Sequence, residues 1–335
     1  MLKIIQWLLL WLRGGTLKLL ILTGLILLAW GTISPVGTLV WWLNQTAESF
    51  GVKNNRNRKF PSTQAPKSVS QSSTIDCYII FLPGVGDFSA NQLTPGEEIF
   101  LKNLGELHPN CAVVSDVFPY SVANESLGGR RFLAPVWRFA NEADGWLSIA
   151  DVVIKIRNLW RFAISADPRY GKIYNRGTAE AIISRMNAAY PIGDRSHQPL
   201  KIILIGTSGG AQVALGAAPY LQEWLNPKII VISVGGVFAG TDGFNAAKKV
   251  YHLQGRQDWV EDIGNFIFPS RWPWTVGSPF NQAVQQGYFT VQTIGPQAHD
   301  GESGYFGTNL AKPKDITYVE LTLDAVNKLP IWSGH

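Results

Sequence analysis

The sequence predicts an α/β protein, a mostly parallel sheet of about six strands with helices on both faces, preceded by an N-terminal transmembrane helix. Three observations carry this expectation. From residue 75 onward, short apolar runs bounded by turn residues alternate with helix-like segments, the pattern of βαβ units. One run, Lys201-Ile-Ile-Leu-Ile-Gly206, is unbroken, as a strand covered on both faces of a parallel sheet requires. Leu19 to Leu43 supplies about 25 residues without a charge, enough to cross roughly 30 Å of hydrocarbon as a helix.

The chain begins with Ile4 to Leu12, an apolar run too short to span a bilayer and suited to its interface, with Lys3, Arg13 and Lys18 around it. The membrane helix at 19–43 follows. Trp30, Trp41 and Trp42 fit an interfacial aromatic belt, and Gly24, Gly31 and Pro35 are tolerable within a membrane helix although they favour kinks. A cleaved signal peptide is the alternative, opposed by the length of the apolar run and the lack of a small-x-small site after it. Basic residues flank both sides, with Lys53, Arg56, Arg58 and Lys59 downstream, so the positive-inside rule leaves the orientation open. Residues 44–74 turn polar, rich in Ser, Asn, Lys, Pro and Thr, which predicts a linker without fixed structure.

The domain at 75–335 then reads strand Cys77 to Leu82, helix Glu97 to Leu107, strand Cys111 to Phe118, helix Ala179 to Ala189 and strand Lys201 to Ile205. Helix Ala211 to Leu225 follows, then strands Lys228 to Val234, Val250 to Gln254 and Tyr288 to Ile294, and a last helix near Tyr318 to Lys328. An insertion at about 121–176, rich in Trp, Phe and Arg, interrupts the rhythm as lids and binding loops do. Within it, Ile149 to Phe162 reads equally as a membrane-facing amphipathic lid helix or as an ordinary core-packed helix with solvated arginines.

A net charge of +5 is compatible with work beside anionic headgroups, and no zinc-finger spacing or RNA-binding signature points to nucleic acid. No cofactor or metal is expected. Cys77 and Cys111, each opening a strand, read as small buried apolar residues rather than a disulfide or a metal site.

The chemistry centres on Gly206-Thr-Ser-Gly-Gly210, a G-x-S-x-G string set between an apolar strand and an Ala-rich helix. Flanking glycines let the backbone make a strained turn that lifts the Ser208 hydroxyl clear of the sheet. The string alone is weak, since roughly one chain in five of this length carries it by chance, and the strand-turn-helix context is what strengthens it.

With Gly255-Arg-Gln-Asp258 after a later strand and His299 in the loop past the last one, the chain resembles the α/β-hydrolase superfamily, lipase- and esterase-like serine hydrolases, from about Ile75 to the C-terminus. The order nucleophile, acid, base is the family's, while the two leading strands are absent and the insertion follows the second strand rather than the strand after the elbow helix. The resemblance implies Ser208 as nucleophile, His299 as general base and Asp258 as its orienting acid, with Asp242 and Asp262 as fallbacks. Backbone N–H groups of Gly209 and Val85 would form the oxyanion hole, Val85 lying in Pro83-Gly-Val-Gly-Asp87.

The implied function is a membrane-anchored serine hydrolase acting on a lipid-like ester or thioester, with membrane lipid as its partner. Hydrolysis and acyl transfer are not separated by sequence. Two other readings stand beside it. Gly-Thr-Ser-Gly-Gly also resembles the elbow of patatin-like lipases, whose Ser-Asp dyad would here be Ser208 and Asp242, although the Arg-Gly oxyanion loop of that family is missing. A catalytically silent hydrolase fold serving as a membrane scaffold is the third.

Overall fold

The computed structural model describes residues 75–85, 93–119, 158–192, 200–311 and 315–332. The predicted membrane helix at 19–43, the linker at 44–74 and the insertion from 121 to 157 lie outside the described residues. The chain divides into units Met1–Ser72 and Ser73–His335, and every described residue belongs to the second. Among the described residues no helix is long and apolar enough to cross a membrane.

Six strands, β1 (Cys77–Leu82), β2 (Cys111–Val114), β3 (Lys201–Thr207), β4 (Lys228–Val234), β5 (Lys249–Gly255) and β6 (Phe289–Ile294), form one sheet. Their order is β2-β1-β3-β4-β5-β6, and every neighbouring pair is parallel. Seven helices connect or flank them: α1 (Pro95–Leu107), α2 (Gly171–Ala189), α3 (Gly210–Leu225), α4 (Gly243–Ala246), α5 (Val260–Ile267), α6 (Pro279–Gln285) and α7 (Tyr318–Asn327). Residues 158–166 are also helical. A short antiparallel pair, β7 (Leu310–Ala311) and β8 (Ile316–Thr317), stands apart from the main sheet.

Side-chain alternation along the strands divides the core into two layers. Tyr78, Ile80, Leu82, Ile202 and Leu204 pack with Ile182 and Met186 of α2 and Ala214, Leu215 and Leu221 of α3. Ile79, Phe81, Ile203 and Ile205 pack with Phe100 and Leu104 of α1 and Val319 and Val326 of α7. Each such aliphatic side chain contributes about 1.5–3 kcal/mol by leaving water, which is why the central strands carry no polar face. Helices α1 and α7 are started by capping boxes, Thr94 with Glu97 and Thr317 with Glu320, which satisfy otherwise orphaned N–H groups. Helix α3 has no side-chain cap. The chain leaves β1 toward one layer and β3 toward the other, so a crevice opens at the carboxyl ends of these adjacent strands.

Strands β1 and β4 have the expected bounds, and the others shift by one or two residues except β2, which ends at Val114 rather than Phe118 because it is an edge strand with one partner. Two expectations are corrected. Cys77 and Cys111 form a disulfide: parallel register places them opposite one another on β1 and β2, with Cα atoms 4.5 Å apart. Their separation of 34 positions in sequence hid a pairing that only the sheet creates.

The helix expected from Ala179 begins earlier, at Gly171, and residues 158–166 are helical as well. The early turns of α2 are held by a buried amide rather than an apolar stripe. Asn175 Oδ1 accepts from Ser165 Oγ at 2.7 Å, its Nδ2 donates to the Ser165 carbonyl at 3.0 Å, and a Cβ on Gly216 of α3 would lie 2.4 Å from the Asn175 amide carbon. For the predicted helix at 149–162, the described end is core-packed: Phe162 is buried with Val213 and Val237.

Candidate active site

Ser208 occupies the two-residue turn between β3 and α3 in the left-handed region, with φ of +48°. For a residue with a Cβ this conformation costs on the order of 1 kcal/mol. Three backbone bonds hold it there: Ser208 N–H donates to Val234 O at 3.1 Å, while Ser208 O accepts from Ala211 N at 3.2 Å and Val237 N at 3.1 Å. The flanking glycines are required by space. A Cβ on Gly206 would sit 2.6 Å from the Ala211 backbone, and one on Gly210 would sit 2.1 Å from Leu82 O.

The turn thus presses directly against the end of β1. The loop leaving β1 passes beside Ser208, since a Cβ on Gly84 would lie 3.0 Å from the Ser208 Cβ. Asn158, buried in the helical stretch at the end of the insertion, donates from Nδ2 to Val85 O at 3.2 Å and braces this loop. Neither the Gly209 nor the Val85 N–H donates to another group among the described residues, so both remain available to a developing oxyanion.

His299 Nε2 lies 2.9 Å from Ser208 Oγ, and its Nδ1 lies 2.9 and 3.0 Å from the two Asp258 carboxylate oxygens. The tautomer follows from these partners: an ionised carboxylate only accepts, so Nδ1 carries a proton and Nε2 faces the hydroxyl as an acceptor. Asp258 comes from the turn after β5 and His299 from the loop after β6, so three separate connections meet at one end of the sheet.

Asp258 is only 4% exposed. Burial pushes its carboxyl pKa up, but the bonds and charge of His299, the Tyr305 hydroxyl and the Val260 N–H outweigh burial and hold it below the usual carboxylate value. Tyr305 OH donates to Asp258 Oδ2 at 2.7 Å and accepts from Gly255 N–H at 2.7 Å. Burial, then the adjacent Asp258 charge, drives the phenol pKa far up, so Tyr305 remains a donor. Gly235, at φ +54°, forms the floor: a Cβ there would lie 2.3 Å from the Tyr305 ring and 2.8 Å from Asp258 Oδ2. Sequence reasoning missed Tyr305 and Asn158. Nothing local marks either one, because each acts on a loop far away in the chain.

The remaining candidates lie elsewhere. Asp242 is exposed at the start of α4, and the next residue, Gly243, packs against the Leu215 carbonyl, more than one turn into α3. Asp262 is exposed on α5 with Arg271 as its charged neighbour. His108 stacks on Trp332 with centroids 3.8 Å apart, and His252 is buried within β5. Among the described residues no cluster of His, Cys, Asp and Glu could hold a metal ion.

An apolar cluster packs beside the site: the buried Val213 on α3, Phe162 and Val237, whose N–H donates to Ser208 O, with the partly buried Val85, Val260 and Phe268 against them. The arrangement can activate a hydroxyl, stabilise the resulting imidazolium and exclude water from one side. No protein-family model matches the chain, and neither a curated protein nor a solved structure matches it.

Proposed function

We propose that this chain is a membrane-anchored serine hydrolase of the α/β-hydrolase type, cleaving an ester or thioester with a lipid-like acyl group through an acyl-enzyme. The observation that carries the reading is the unbroken relay Ser208–His299–Asp258, with both hydrogen-bonding steps near 2.9 Å. In this mechanism His299 Nε2 takes the proton as Ser208 Oγ attacks the acyl carbonyl carbon. The carbonyl oxygen, now negative, is received by the Gly209 and Val85 N–H groups. As the tetrahedral intermediate collapses, the C–O or C–S bond breaks and the imidazolium returns its proton to the leaving group. Water then repeats the sequence on the acyl-enzyme, or an alcohol does so in acyl transfer.

The strand order, with the nucleophile after the third strand in sequence and beside the first, supports the hydrolase reading. The partly buried Val85, Val260 and Phe268 beside the site support an acyl substrate. The uncharged run at 19–43 supports the anchor. Asp242 is exposed and Ser208 Oγ lies beside His299 instead, which does not favour the patatin-like dyad.

The test is labelling of the full chain with a fluorophosphonate, then turnover on ester, thioester and phospholipid panels. Ser208→Ala should abolish labelling, and His299→Ala should lower turnover by about 10⁴-fold or more, while Asp242→Asn leaves it unchanged. Equal labelling of wild type and Ser208→Ala would end the reading. Loss in a folded Asp242→Asn with full activity in His299→Ala would transfer the site to the dyad.

A further inference from the structure

Beneath the Asp258 turn lies a second chain of polar groups that the proposed reaction does not use. Ser233 on β4 and His252 on β5 are register partners, and Ser233 Oγ lies 2.9 Å from His252 Nδ1. The other imidazole nitrogen, Nε2, bonds Glu261 Oε2 on the first turn of α5. All three residues are buried, and the His252 ring packs between Phe238 and Phe289.

The residue types are those of a serine nucleophile, a base and an acid, but Ser233 is wholly enclosed and has no route to a substrate. A buried carboxylate costs several kcal/mol unless it is compensated. Here it accepts the Nε2 proton of His252 and lies in the field of Arg271, whose guanidinium rests over the Phe238 and Phe280 rings, 4.3 and 4.9 Å from their centroids. Ser233 completes the set by donating its hydroxyl proton to Nδ1.

We propose that the His252–Glu261 bond is a clasp that positions the catalytic acid, which makes both of them positioning residues. This rests on the assignment of Asp258 in the proposed function. Asp258 lies on the short stretch of chain between the two bonded residues, so their bond closes a loop that contains it. The clasp fixes where α5 begins, and with it the Val260 N–H that donates to Asp258 Oδ1 at 2.9 Å. The turn's other ties, Arg256 N–H to Gly295 O and Gln257 N–H to Gln297 O, both 3.1 Å, Asp258 N–H to Gly255 O at 3.0 Å, and the Tyr305 hydroxyl between Gly255 N–H and Asp258 Oδ2, hold the turn itself and do not reach α5. Without the clasp, the start of α5 rests on the strands beneath it by packing alone. Such packing tolerates sliding that a hydrogen bond does not, and a displacement near 1 Å can cost about a hundredfold in rate.

The experiment is a double-mutant cycle in the full chain, read as kcat, KM and the fluorophosphonate labelling rate. Glu261→Ala should lower kcat by about 10- to 100-fold with KM nearly unchanged. Glu261→Gln, which keeps an oxygen to accept from His252, should recover most of that loss. In an Asp258→Asn background Glu261→Ala should add almost nothing, because the group it positions has already lost its function. A purely structural role predicts the same loss in both backgrounds, and that result would overturn the clasp. So would a folded Glu261→Ala with wild-type kcat. Should Glu261→Ala fail to fold, Glu261→Asp, one methylene too short to reach His252, runs the same cycle, and wild-type turnover in it is equally fatal. Additive losses with Ser208-dependent labelling intact reject the clasp alone, whereas labelling that survives Ser208→Ala rejects the site on which it rests.

Discussion

Replacing Tyr305 by Phe removes one oxygen atom and tests the energetics of the acid site. That oxygen donates to Asp258 Oδ2 and accepts from Gly255 N–H, each at 2.7 Å, in a residue only 3% exposed. A hydrogen bond to a buried charge is worth about 1.5–3 kcal/mol, and an orphaned buried N–H costs about 1–3 kcal/mol. Partial relaxation leaves an expected loss of about 2–4 kcal/mol, which lowers Tm by roughly 5–12 °C in a domain of this size.

The pH dependence has a definite sign. The folded-state pKa of Asp258 is depressed, so its contribution to stability is present above the unfolded value of about 4 and is lost as pH falls through the folded value. The variant gives up part of that depression. The stability gap between the two proteins should therefore be full at neutral pH and narrow below about pH 4, where Asp258 is protonated in the unfolded state and, at lower pH still, in both states. Turnover should fall only about tenfold, because His299 keeps both contacts to the carboxylate. Urea melts at pH 7 and at pH 3.5, with kcat measured at pH 7, decide the matter. A variant within 0.5 kcal/mol of wild type at pH 7, or a gap that widens on acidification, refutes the reasoning; the first threshold is about the noise of a surface substitution.

Three further outcomes are expected. Gly210→Ala should cost about 3 kcal/mol in a denaturant melt, since the new Cβ would meet the rigid Leu82 carbonyl at 2.1 Å, and wild-type stability would contradict that contact. Asn158→Leu should lower kcat about tenfold and weaken a boronate transition-state mimic more than a ground-state ester, because the brace on the Val85 loop goes while the nucleophile and base remain; equal weakening of both ligands would oppose it. Mass spectrometry of the unreduced protein should find no free thiol, and reduction should cost about 3–4 kcal/mol for a loop of this length, whereas two alkylatable cysteines would disprove the bridge.

Much of the scaffold was legible because the central strands are simple objects. Lys201–Thr207 and Lys228–Val234 are covered on both faces, so each is a continuous apolar run with turn residues at its ends. The elbow was legible for a related reason: glycines on both sides of Ser208 are a local answer to a local crowding problem. His299 and Asp258 could be chosen because each follows a strand at its carboxyl end, where connections converge.

Other features have causes that lie far away in the chain. Helices α5 and α6 are only eight and seven residues long, too short for an apolar period to be distinguished from a strand or loop by sequence. The first turns of α2 rest on one buried amide fitted to a glycine of another helix. The cysteine bridge depends on the register of β1 against β2, and the roles of Tyr305 and Asn158 depend on which loops the fold sets beside them. The sequence by itself determined the layers, the strands and the strained serine, because burial and backbone strain act on neighbours in the chain. Only the tertiary structure decided what holds the acid, what braces the Val85 loop and which cysteines pair, because hydrogen bonds and disulfides form between residues that sequence distance separates and the sheet brings together.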